Sequence, residues 1–208
     1  MGNKPAASAP KKIALDSNIA IFMDDANDND LDDLIEVWER HHNKLELLTY
    51  HNKKIQSTAL HLAANNGNSE IVAFLVKKIK SEFPGKAKEI INAKNIYGFT
   101  PLMSVAFRGF IVKGRAKYAG EDRIKIARCL VEAGADINHV TSDTKMSSLH
   151  WASYNKDAKL VRYLLEKGAM INVFSGMDRL AIDVAGSSQA IHVIDTFLRH
   201  FYEQFKDS

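Results

Sequence analysis

The chain has 208 residues, 46% of them hydrophobic, a formal net charge of +3 and a single cysteine, Cys129. That length suits one domain with a shared core. No apolar run approaches the roughly 20 residues of a membrane span, the opening residues do not read as a secretory leader, and one cysteine excludes an internal disulfide or a cysteine-based zinc site. The expected setting is therefore intracellular and reducing, with Cys129 a buried core thiol.

Residues 1–12 are small, proline-containing and basic, without any period to bury, and are expected to be a disordered tail. Gly2 follows the initiator methionine, but Ala6 stands where an acylation signal needs Ser or Thr. Even one acyl chain beside Lys11 and Lys12 would give only weak, reversible membrane contact. Residues 13–57 are expected to be a helical N-terminal cap or degenerate repeat. Leu31, Leu34, Ile35 and Trp38 fall at helical spacing behind Asp28-Asn29-Asp30 as capping candidates. His41 and His42 point about 100° apart on a helix and do not form the i, i+4 clamp of a metal site, so both are expected in solvent.

Three segments then repeat one another: Thr58-Ala-Leu-His-Leu-Ala-Ala64, Thr100-Pro-Leu-Met-Ser-Val-Ala106 and Ser147-Ser-Leu-His-Trp-Ala-Ser153. Each precedes an apolar run of helical period, and a decayed fourth copy starts at Leu180. Such units cannot bury their own faces and must stack on one another. Thr58 and Thr100 are placed to cap helices, with Pro101 tolerated just inside. Gly134 and Gly168 are placed to end helices in the left-handed conformation. The polar C-terminal residues suit a capping repeat whose outer face meets water.

These segments resemble the ankyrin-repeat family, with its T-P-L-H-x-A signature and unit of about 33 residues. The resemblance implies an all-α ankyrin-repeat solenoid over residues 58–208: stacked antiparallel helix pairs with projecting turns, three clear repeats, and degenerate N- and C-terminal capping repeats. Thr58 and Thr100 are 42 residues apart, and Thr100 and Ser147 are 47 apart, so insertions lie near 77–88 and 110–122. The first is expected to lengthen a second helix and its exit loop. The second is expected to be a loop partly packed on its own repeat. The resemblance also implies that His61 and His150 hydrogen-bond neighbouring turn backbone, and that partners dock on the concave face and turns. Carried over by position, the docking residues are Ile55, Asn65 and Asn66 in the first repeat; Tyr97, Phe99, Phe107 and Arg108 in the second; and Met146, Tyr154 and Asn155 in the third. Met177 and Arg179 follow in the fourth.

Charge is uneven: eight acids and no base lie between Ile13 and Glu36, against thirteen bases and four acids between Lys77 and Arg128. No enzyme motif is present. Gly109 to Arg115 has phosphate-loop glycine spacing but lacks the Lys-Ser/Thr that reaches phosphate and magnesium. The expected function is thus that of a non-catalytic, cytoplasmic, monomeric adaptor or regulatory subunit, with no metal or cofactor and with a protein as partner rather than nucleic acid. The alternative is a basic anion-binding module touching nucleic acid or acidic membrane through Lys113, Arg115 and Lys117.

Overall fold

A computed structural model describes residues 10–107, 120–186 and 190–206. Every regular element among them is helical, apart from one isolated antiparallel bridge between Val140 and Ser147. Helix α1 (Pro10–Asp28) buries Ile19, Phe22, Met23 and Ala26, a stripe at i, i+3, i+4 and i+7. It begins inside the stretch expected to be a disordered tail, so the boundary after residue 12 is not a boundary of structure. Residues 1–9, with Gly2, lie outside the described residues.

Asn29 turns the chain in the left-handed conformation (φ 68°), and the Asp30 carboxylate accepts from the Asp33 N–H at 3.2 Å to cap α2 (Leu31–Arg40). Trp38 of α2 is fully buried between Phe22 (6.2 Å) and Phe74 (5.9 Å, edge-on). His41 is buried as well, not in solvent as expected, because the chain bends back there into α3 (Lys44–Thr49); His42 is exposed.

Four antiparallel helix pairs follow. They are α4 (Ala59–Asn66) with α5 (Ser69–Glu82), α7 (Pro101–Phe107) with α8 (Gly120–Glu132), α9 (Ser148–Tyr154) with α10 (Ala158–Glu166), and α11 (Ala181–Val184) with α12 (Ile191–Phe205). The first insertion lies partly in α5, which runs on to Glu82, and the chain beyond it forms a 3-10 turn (Pro84–Lys86) and α6 (Ala87–Ile91), a helical return burying Ile90 and Ile91 where an exit loop was expected. One row packs α1 on α4, α4 on α7, α7 on α9 and α9 on α11; the other packs α5 on α8, α8 on α10 and α10 on α12. A shared apolar core runs between the rows, from Phe22 to Phe197. This is the expected all-α solenoid.

Polar side chains join successive repeats. Gly67, Gly134 and Gly168 are left-handed (φ 79°, 95° and 88°). Beyond the latter two, the Asn92 carboxamide bonds the Gly134 carbonyl (3.1 Å) and the Asp136 N–H (2.7 Å), and Asn138 bonds the Gly168 carbonyl (3.3 Å) and the Met170 N–H (2.8 Å). Buried Arg123 donates from Nη1 to the Val105 carbonyl at 2.7 Å, tying α8 to α7.

A further expectation fails. Cys129 is half-buried rather than fully buried, like Phe74 at the same position of the first repeat, whereas Tyr163 in the third is buried. Burial, then Glu132, raises its thiol pKa, which keeps it protonated and a poor nucleophile. The polar C-terminal residues Glu203, Gln204 and Lys206 are exposed. α12 buries Val193 and Phe197, while Ile191, Leu198 and Tyr202, at i, i+7 and i+11, share the opposite exposed side.

Candidate functional site

The signature histidines position the projecting turns. His61 Nδ1 accepts from the Thr58 N–H at 3.2 Å while its Nε2 lies 2.9 Å from the Phe99 carbonyl. An N–H can only donate and a carbonyl only accept, so the ring is the neutral Nε2–H tautomer. His150 repeats the arrangement with the Ser147 N–H (3.2 Å) and the Arg179 carbonyl (3.2 Å). Both make the expected bonds to turn backbone. Burial lowers both pKa values, that of His61 to about 4, so neither ring is poised for proton transfer at neutral pH.

Between the second and third repeats the second turn, α7 and α9 carry a connected set of rings. Phe99 lies 4.9 Å from Phe107 and 5.6 Å from Trp151, and Phe107 lies 4.6 Å from Trp151, edge-on. At either end a tyrosine comes outward: Tyr97 is 6.2 Å from Phe99 and Tyr154 is 6.0 Å from Trp151. Tyr97 is 47% exposed and Tyr154 59% exposed, with Ile96 at 57% beside Tyr97. The buried Phe99 ring and the half-buried Phe107 and Trp151 rings thus hold the exposed ones in place, where two-torsion side chains lose little further freedom on binding.

The expected docking residues separate accordingly. Tyr97 and Tyr154 project. Phe99 is buried, so it supports the surface instead of forming it, because its neighbours Phe107 and Trp151 close over the ring. Ile55 and Met146 are half-buried in their turns, where the Ile55 carbonyl accepts from the Ile96 N–H (3.1 Å) and the Met146 carbonyl from the Thr141 N–H (3.2 Å). The amides are engaged within the stack: Asn155 Nδ2 lies 2.7 Å and 2.8 Å from the Ala106 and Phe107 carbonyls. Asn66 Nδ2 donates to the Asn27 carbonyl at 2.9 Å, and Asn65 Nδ2 donates to Asn66 Oδ1 at 3.2 Å. Met177 is 82% exposed at the tip of the last turn, and Arg179 is exposed. Arg108, Lys113, Arg115 and Lys117 lie outside the described residues.

Trp151 is the member that sequence reasoning missed. Its position in the repeat is held by Leu62 and Ser104 in the sister units, and that jump in size was the available signal. Among the described residues no group of His, Cys, Asp and Glu is arranged to hold a metal ion, and no helix is long and apolar enough to cross a membrane.

Family models of ankyrin repeats match residues 31–113 and 115–165. Over 70 residues the chain is 37% identical to the palmitoyltransferase Hip14 of Drosophila melanogaster, a match covering 34% of this chain and 10% of that protein. The chain thus spans about a tenth of the length of that curated relative.

Proposed function

Because the chain belongs to the ankyrin-repeat family, we propose that it is a non-catalytic adaptor or regulatory subunit that binds a protein partner along its concave face and projecting turns. The observation that carries this reading is the pair Tyr97 and Tyr154, exposed rings braced on the Phe99–Phe107–Trp151 cluster. Aromatic anchors of this kind, ringed by polar groups, dominate the energy of many interfaces. The palmitoyl-transfer chemistry in the name of Hip14 is not carried over, since the likeness covers only a tenth of that protein. A cytoplasmic location fits the lone cysteine, kept as a thiol.

Affinity capture with the full chain, run beside a Tyr97→Ala/Tyr154→Ala variant and followed by calorimetry on the captured partner, tests the reading. Each ring at a true hot spot is expected to contribute about 2–4 kcal/mol to binding, with the melting temperature unchanged. Undiminished affinity in the double variant would move the site elsewhere on the molecule.

A further inference from the structure

The turns of the second and third repeats also enclose a cleft of about 330 Å³, lined by Lys94, Gly98, His139, Thr141, Ser142 and Lys145 among others. Its floor is built. His139 Nε2 donates to the Gly98 carbonyl at 3.0 Å, Thr141 is buried with its hydroxyl 2.7 Å from that of Thr144, and a Cβ placed on Gly98 would meet Thr141 at 3.8 Å. Lys94 and Lys145 are the exposed members of the lining with a formal charge, and neither is ion-paired among the described residues. No carboxylate lines the cleft; the nearest in sequence, Asp143, accepts from the Ser142 hydroxyl at 3.2 Å outside the lining.

A second observation concerns the backbone. Each turn places one residue in the left-handed region two positions before the signature: Gln56 (φ 51°), Gly98 (φ 71°), Lys145 (φ 48°) and Asp178 (φ 53°). Glycine takes that conformation without penalty and a residue with a Cβ does not. Three of the four turns nonetheless place a side chain there, and in the third it is Lys145, which lines the same cleft as Lys94.

We propose that this cleft binds an oxyanion, the carboxylate or phosphoryl group of an acidic side chain on the partner. Tyr97 and Gly98 are adjacent in one turn, so the anionic residue would sit next to the residue that engages the aromatic anchor. This rests on the protein-binding reading above. Exposed lysines give weak, salt-sensitive contacts that steer and orient more than they hold, so millimolar affinity for a free anion is expected.

The test is an amide NMR titration of the full chain with sodium phosphate and, separately, with sodium acetate, at ionic strength held constant with chloride. Saturable shifts are expected at Gly98, His139, Ser142 and Lys145, and whichever anion saturates first identifies the group. Lys94→Gln/Lys145→Gly should weaken saturation at least tenfold; Gly98 shows that the turn accepts glycine, and Lys94→Gln alone, at an exposed site, should give part of the loss. Asp143→Asn should tighten binding. Tyr97→Ala/Tyr154→Ala should leave the titration unchanged, so the two sites fail or succeed separately. Shifts that never saturate with either anion, or that persist in the double lysine variant, would overturn the proposal.

Discussion

Replacing Phe99 by alanine is expected to lower the unfolding free energy by about 3–5 kcal/mol, the usual range for deleting a buried aromatic ring. The ring is 6% exposed and touches Phe107 and Trp151, which come from helices of two different repeats. Its loss therefore opens a cavity at a junction between repeats, where nearest-neighbour packing supplies much of a solenoid's stability. Tyr97→Ala, two residues away on the exposed side, should change stability by no more than about 0.5 kcal/mol. Urea denaturation of the two variants separates support from surface. If Phe99→Ala leaves the midpoint where it was, the ring is no part of the core and the account of a braced aromatic surface fails.

Acidification from about pH 6.5 to about pH 4 should destabilise the protein by an amount on the order of 3 kcal/mol from His61 alone. Burial lowers its folded pKa from 6.5 to about 4. In that window the unfolded chain binds the proton and the folded one does not, so stability rises with pH. The contribution is complete above the unfolded value and is lost as pH falls towards the folded one. His150, also lowered by burial, acts in the same direction. Asp25 opposes them. Burial, then Asp33, Asp30 and Asp24, raise its pKa from 3.8 to about 6, so its term favours the folded state in acid and fades as pH rises through that value. Asp25 is partly exposed and solvent weakens its share. Melting temperature measured against pH should fall on the acid side, and His61→Gln should flatten that fall. An equally steep profile in the variant would mean that His61 is not the group responsible.

Much of this fold was legible because its signals are local. The Thr-x-Leu-His pattern fixes a cap, a buried leucine and a turn-bonding histidine within four positions, and Gly134 and Gly168 stand where left-handed backbone is required. Helix α1 is legible only as part of a helical segment from residue 13, without its own start or buried face, since Ile19, Phe22, Met23 and Ala26 among many acids give a weak signal until a neighbour covers them. The proposed docking surface was half legible for a related reason. Position in the repeat says which way a backbone faces, and Tyr97 and Tyr154 followed it outward. It does not say what a large neighbour will cover, and Trp151 from the next repeat helps to bury Phe99. The cleft between the second and third turns had no local signature at all, because Lys94 and Lys145 are brought together only by the stacking of turns.

The asparagine bonds between repeats have a consequence for hydrogen exchange. Asp136 and Met170 are exposed residues, so their amides would ordinarily exchange with solvent deuterium within seconds to minutes. Each N–H instead donates to an asparagine of the preceding repeat, Asn92 at 2.7 Å and Asn138 at 2.8 Å. Their protection therefore depends on whether two neighbouring repeats are docked, not on whether either repeat is folded by itself. In deuterated solvent these two amides act as gauges of the joints in the stack. Fast exchange at one of them, with the helical amides on both sides still slow, would mark a repeat that has parted from its neighbour without unfolding.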